Sequence, residues 1–411
     1  MSLAAAGSLF KVVEIQGRGR GLVASCPIRA GQVVLKDSPV LLYSALPLIP
    51  QSSPSSSSTP ASCFCDHCFR ILLPSSSTVS CPSCQHCRFC SPKCLSIALN
   101  SSHSSWVCQA LSHLRVNPVL LQQPLERQLQ ARFLISAYNL AQVSPSDFQI
   151  LLSVQGSPDA ATAEAAQFLH PLISSLCPPP INPQNGFSIE LIAALLAKDK
   201  LNAFGLMQPF SEDDEQRSVR AYGIYPHASL FNHDCLPNAC RFDYVDTSAP
   251  DDNHNTDIII RMIHDVPEGR EICLSYFPVN ENYSSRQKRL SEDYGFTCSC
   301  DRCNVEANWS DNDNVEDDAE DEDEAMDEDQ DESLAASDTE NIPPEENSDF
   351  PHAYFFLRYM CDRKNCWGTL APLPPNADTP STVMECNVCS NLKNDDGFGV
   401  IEGQDGVSME D

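Results

Sequence analysis

SLFNHDCLPNACRFDY, residues 229–244, places Asn232, His233, Cys235, Pro237, Asn238 and Cys240 within one short interval. Two chemistries are mixed in it. An asparagine and a histidine offer directional hydrogen bonds to a polar ligand, whereas a thiol in a tight turn is a soft metal ligand. Further on, FTCSCDRC (296–303) carries Cys298, Cys300 and Cys303, three ligands in six residues and one short of a closed tetrahedral site. Cys235 is the candidate that completes it, so part of the crowded stretch is expected to serve a structural metal.

The chain has 411 residues, enough for two or three compact units, and its 42% hydrophobic content is that of a globular protein. The leading MSLAAAGSLFKVVE holds too short an apolar run before Lys11 to be a secretory signal, and the chain lacks the roughly eighteen consecutive apolar residues of a membrane helix. An intracellular protein, in nucleus or cytoplasm and away from membranes, is therefore expected. In a reducing compartment the 21 cysteines read as zinc ligands wherever they fall in CxxC spacing. The formal charge of −30 is unevenly placed: residues 311–349 hold 20 acidic side chains and no Lys or Arg, leaving 36 acidic against 26 basic elsewhere. With no basic stripe, direct nucleic-acid binding is not expected, while a basic peptide is attracted.

Along the chain, LFKVV and QVVLK read as strands separated by the glycine-rich turn GRGRGL (17–22). A flexible insert, QSSPSSSSTPAS, follows at 51–62. Pro124 marks a helix start, with Leu125, Leu129, Phe133, Ala137 and Leu140 at helical spacing; Ser188 is the N-cap of a second, through Ile189, Ile192, Leu195 and Leu196. DIIIRMI and EICLSYF (271–277) are strand-like. The acidic segment 305–349 cannot bury enough apolar surface to offset its ordering entropy and is read as a disordered linker.

The first cysteine cluster runs Cys65, Cys68, Cys81, Cys84, Cys90, Cys94, His103, Cys108: eight ligands, suited to two zinc ions whose binding supplies most of the folding free energy of so small a module, on the order of 10 kcal/mol each. A last set, Cys361, Cys366, Cys386 and Cys389, has two-knuckle zinc-ribbon spacing. With the site at Cys235 this makes about four structural zinc ions. Cys26, Cys63, Cys87, Cys177, Cys240 and Cys273 remain as small apolar residues or idle thiols.

The order of the first cluster resembles a MYND finger. That resemblance implies interleaved sets, Cys65, Cys68, Cys90 and Cys94 on one ion and Cys81, Cys84, His103 and Cys108 on the other. The intervals on either side of His103 are each one residue longer than in that family, which keeps His113 open as the alternative. GRGRGL, NHDCLPN (232–238), EICLSY (271–276) and DYGFTCSC (293–300), taken in order, resemble SET-domain protein-lysine methyltransferases in which a MYND finger interrupts the SET fold: the SMYD-like family, including plant ASH-related members.

The resemblance implies an α+β chain: a β-rich SET fold with a pseudoknot. Its units are an N-terminal part (8–50), the finger (63–108), a helical insert (109–195), the SET core (196–278) and a cysteine-rich post-SET segment (279–304). The acidic linker and a zinc-ribbon-like C-terminal unit (350–400) follow. It implies S-adenosylmethionine as cofactor and a lysine-bearing basic protein, histone tails included, as substrate. Arg18, Gly19 and Arg20 are expected at the cofactor carboxylate with Asn202 at the same end, Asn232 and His233 at the ammonium and purine, and Phe296 and Tyr294 over the adenine. Tyr276 is expected at the junction of cofactor and lysine channel, contacting both, and Tyr225 along the channel. A reading from another class is a non-catalytic adaptor that recruits proline-rich or basic partners. Oligomeric state, the substrate lysine and the number of methyl groups added are not legible.

Overall fold

The computed structural model describes residues 9–49, 64–73, 78–179, 187–212, 217–247, 254–307, 357–375 and 381–394. The serine-rich insert, Cys63 and the acidic segment beyond Ala307 lie outside the described residues. Strands β1 (Phe10–Ile15), β2 (Gly19–Ala24), β3 (Val33–Asp37) and β4 (Leu41–Ser44) open the chain, and β5 (Val79–Ser80) and β6 (Arg88–Phe89) form the finger's hairpin. Helices follow: α1 (Pro92–Asn100), α2 (Ser105–Val116), α3 (Pro118–Leu121), α4 (Leu125–Val143), α5 (Pro145–Ser153), α6 (Ala160–Leu176) and α7 (Ile189–Asn202). The chain returns to strands with β7 (Ala203–Met207), β8 (Val219–Ile224), β9 (Asn232–His233), β10 (Ala239–Asp243), β11 (Ile258–Met262) and β12 (Glu271–Leu274). It ends in α8 (Tyr283–Arg289), α9 (Asp301–Glu306), β13 (Leu370–Pro372), β14 (Val383–Cys386) and β15 (Leu392–Asn394). Helix α9 runs two residues into the segment assigned to the linker.

Three small sheets, β1-β2-β12-β9, β10-β11-β3 and β4-β8-β7, make the β-rich body. GRGRGL does more than turn. Gly17 takes the left-handed corner at φ +76°, but Gly19–Ala24 is a strand in antiparallel register with β1, Val12 opposite Leu22. Gly21 sits inside that strand because a Cβ there would lie 2.8 Å from both Asn232 Nδ2 and Glu271 Oε1. The helices form a second layer. Pro124 is the N-cap position of α4, whose Phe133, Ala137 and Leu140 are buried, while Leu125 at its start stays exposed. Ser188 Oγ accepts the Leu191 N–H at 3.2 Å to cap α7, which buries Ile192, Leu195 and Leu196 against α4. Each such fully buried side chain contributes about 1.5–3 kcal/mol, enough to make the insert a rigid wall.

A buried arginine helps to fasten the finger to the body. Arg220 on β8, 2% exposed, donates to the carbonyls of Met207 (2.8 Å) and Phe69 (2.9 Å) and pairs with Asp246 at 2.7 Å, its guanidinium 4.8 Å from the Phe64 ring. Asp246 also accepts the Ile71 N–H at 3.0 Å, and Asn255 donates to the Cys68 carbonyl at 2.8 Å. Arg220→Ala leaves two carbonyls and a carboxylate without their partner, so a loss of about 3 kcal/mol is expected, read as a lower denaturant midpoint in the zinc-loaded protein.

The C-terminal unit is locked on in the same way. Glu385, beside Cys386, accepts two 3.0 Å hydrogen bonds from Arg261 of β11, whose guanidinium lies 3.7 Å from the Phe242 ring centroid. Gly31, at φ +76°, meets this unit so closely that a Cβ would fall 2.4 Å from the Leu373 carbonyl oxygen.

Candidate active site

The parallel pairing of β9 with β12 sets Asn232 opposite Cys273 and His233 opposite Leu274, while β12 pairs on its other side with β2. The glycine-rich strand, the asparagine–histidine pair and the EICLSY strand therefore lie side by side. Asn238 closes the knot: its Nδ2 donates to the Glu271 carbonyl and its Oδ1 accepts the Cys273 N–H, both at 2.8 Å.

Just past β12, Tyr276 packs against His233 (ring centroids 5.2 Å) and Tyr294 (4.9 Å), and its hydroxyl donates to the Phe231 carbonyl at 3.0 Å. Burial, then the neighbouring Tyr294, pushes this phenol well above its ordinary value, so it stays protonated at neutral pH. Phe296 lies 6.3 Å from His233 and 6.4 Å from Tyr294 and is 38% exposed. Together these rings form an aromatic wall with one side accessible, the form that suits a flat heteroaromatic ligand.

Two expected ligand contacts turn inward. Burial lowers His233 to about 3, so its imidazole is neutral, with one donor and one acceptor nitrogen. Nδ1 accepts the Tyr276 N–H at 3.2 Å and Nε2 lies 3.2 Å from Cys235 Sγ. Both ring nitrogens are thus engaged within the fold. His233 ties a metal ligand to the backbone of Tyr276. Arg18 donates to Glu271 Oε2 at 2.6 Å and to the His233 carbonyl, so it fastens the first hairpin to the knot. Tyr225 is fully buried in the core beneath β1, β2 and β11, its hydroxyl donating to the Thr256 carbonyl at 2.6 Å.

A cleft of about 230 Å³ is lined by Arg20, Gln155, Asn202, His227, Ser229 and Leu230, among others. Arg20 reaches it from β2, donating to the Ser153 carbonyl at 3.2 Å. Gly19, at φ +71°, leaves room for the Gln155 amide, which would lie 3.3 Å from a Cβ. The 154–156 turn is pinned to α7: Lys198 donates to the Val154 carbonyl and Asn202 Nδ2 to the Gln155 carbonyl, both at 2.6 Å. With its nitrogen so engaged, Asn202 has its amide oxygen to offer to a ligand. Sequence reasoning missed Gln155, His227 and Ser229. The last two share the stretch leading into Asn232, and His227 donates from Nδ1 to the buried Asp37 at 2.9 Å.

The four cysteine groups each assemble, with ligand atoms within 4.8 Å of one another: Cys65, Cys68, Cys90 and Cys94; Cys81, Cys84, His103 and Cys108; Cys235, Cys298, Cys300 and Cys303; Cys361, Cys366, Cys386 and Cys389. Tetrahedral Zn–S bonds of about 2.3 Å put the sulfurs roughly 3.8 Å apart. The distances here are 3.7 Å for Cys68–Cys90, 3.8 Å for Cys81–Cys108, 3.5 Å for Cys235–Cys303 and 3.7 Å for Cys361–Cys389. His103 Nε2 lies 3.7 Å from Cys84 Sγ, whereas His113 is exposed and bonded to the Leu176 carbonyl, so the geometry favours His103. The third group has a further sign of thiolate charge. Arg286, with no exposed side chain, directs Nε to Cys235 Sγ at 3.3 Å and Nη2 to Cys303 Sγ at 3.6 Å. A buried cation placed on sulfurs fits the anionic centre that zinc forms with four thiolates.

A family model described as the SET domain matches residues 19–277, more than half of the chain. The chain belongs to the SET-domain family. It is 56% identical over 404 residues to the histone-lysine N-methyltransferase ASHR2 of Arabidopsis thaliana, covering 95% of this chain and 96% of that protein. It is 24% identical to the mouse histone-lysine N-methyltransferase SMYD3, covering 70% of this chain and 60% of that one. A crystal structure of the SET domain of LSMT bound to lysine and AdoHcy superposes at a TM-score of 0.33 and 13% identity, covering 73% of this chain and 55% of that one. Within this SET domain the finger and helices enter between β4 and β7, while α8, α9 and the third cysteine group follow it.

Proposed function

We propose that the protein is an S-adenosylmethionine-dependent lysine methyltransferase acting on basic protein substrates, histone tails foremost, in the nucleus. The observation that carries the reading is the half-buried phenol of Tyr276, packed between His233 and Tyr294, on a chain 56% identical to a named histone-lysine methyltransferase. The formal charge of −30 favours a basic polypeptide partner over nucleic acid. Among the described residues no helix is long and apolar enough to cross a membrane.

The cofactor fits by its chemistry: in the cleft Arg20 answers a carboxylate and the oxygen of Asn202 an ammonium, while Asn232 offers a second oxygen and Tyr294 and Phe296 cover a purine. When bound, it supplies a methyl group on a sulfonium, already a good leaving group. What remains for the protein is alignment and dryness. Tyr276, its proton committed to the Phe231 carbonyl, keeps phenolic lone pairs for an N–H of the incoming amine and so aims the amine's own pair. The same buried surroundings favour the neutral, nucleophilic amine over the ammonium.

Transfer of a labelled methyl group to a panel of histone-tail peptides, with lysine-to-arginine peptides as controls, tests this. Label in the lysine peptides alone is expected. A protein that binds no S-adenosylmethionine in a titration would instead be the adaptor.

A further inference from the structure

Glu271 opens the EICLSY strand, and its carboxylate joins two residues that are far apart in sequence. Oε1 accepts the Asn232 Nδ2 at 2.8 Å and Oε2 accepts the Arg18 Nη1 at 2.6 Å, with its side chain only 14% exposed. A carboxylate can only accept hydrogen bonds, whereas a primary amide has a donor end and an acceptor end. Glu271 therefore takes the NH₂ end of Asn232 and turns its oxygen the other way. Arg18 supplies the counter-charge to this carboxylate. We infer that Glu271 is a positioning residue: it fixes the amide of Asn232 so that an acceptor, and not a donor, faces the ammonium of the cofactor.

The inference rests on the proposed cofactor site and makes a directional claim about it. In Glu271→Gln the new side chain gives its oxygen to the charged Arg18, the stronger donor, and its NH₂ then meets Asn232. Asn232 must turn over and present its own NH₂ to the ammonium. The effect is thus confined to ligands that carry that group.

Calorimetric titration of the zinc-loaded protein with S-adenosylhomocysteine and with 5′-methylthioadenosine, which lacks the amino-acid end, separates the two roles. Glu271→Gln is expected to weaken the first by about tenfold or more, the size of one charge-assisted hydrogen bond. The second should stay within about twofold, and kcat at saturating cofactor within about threefold, because the reacting centre is untouched. Glu271→Asp, still acceptor-only, should recover most of the preference. Equal weakening of both ligands, or of neither, would overturn the inference and reduce Glu271 to a structural role. Asn232→Ala should erase the same preference while sparing the Arg18–Glu271 pair; a wild-type preference there overturns it even if the glutamine variant fails to fold. A wild-type protein that binds neither ligand would bring down the cofactor reading as well.

Discussion

Replacing Tyr276 by phenylalanine is expected to lower methyl transfer by roughly 10²-fold or more while leaving cofactor affinity within about twofold. The ring is what packs against His233 and Tyr294, and phenylalanine keeps it. The hydroxyl alone is removed, and with it the acceptor that aims the amine. Loss should therefore fall on kcat at saturating cofactor and peptide. Because the phenol is held well above its ordinary value, it does not titrate near neutrality, and the wild-type rate should show no downward limb from its ionisation up to about pH 10. Full turnover in this variant would remove Tyr276 from the reaction.

Cys235→Ser carries the second large effect. The third metal group loses one of its four ligands, and metal content should fall from about four zinc ions per chain to about three, measured by elemental analysis. Activity should fall with it, although Cys235 touches no reactant. His233 Nε2 lies 3.2 Å from this sulfur while its Nδ1 holds the Tyr276 N–H, so a loosened sulfur frees the imidazole that seats the phenol. Arg286 and Arg302, buried beside Glu306, would also lose much of the negative charge around them. Cys26→Ser, outside all four groups, should change neither metal content nor rate. A Cys235→Ser protein with four zinc ions and wild-type turnover would refute the link.

What could be read from the sequence was what local spacing dictates. Ser188 ahead of an apolar period gives a helix start, and thiols with two to four residues between them give a zinc bite; both depend on a few neighbouring residues. What escaped depends on contacts across the whole chain. Arg18 and Glu271 are 253 positions apart, and no period or motif says that the arginine will face the glutamate instead of a ligand. The same holds for His233: its identity announced a polar site, but only the folded knot shows both nitrogens engaged. GRGRGL reads as a turn because glycine usually marks one, yet Gly21 is required by side chains pressing on a strand. Tyr225 lies seven residues before Asn232, yet its side chain is buried in the core with its hydroxyl on the Thr256 carbonyl, which no local pattern indicates.

Arg220 has one more implication, for geometry and not for stability. Since it grips Phe69 and Asp246 at once, the cysteine-rich module cannot pivot about the catalytic body without breaking a buried pair. It behaves as a welded bracket and not as a hook on a string. Any polypeptide clasped by that bracket would be presented at one set span and bearing from Tyr276, so the choice of which lysine is modified would follow from where along its length the polypeptide is grasped.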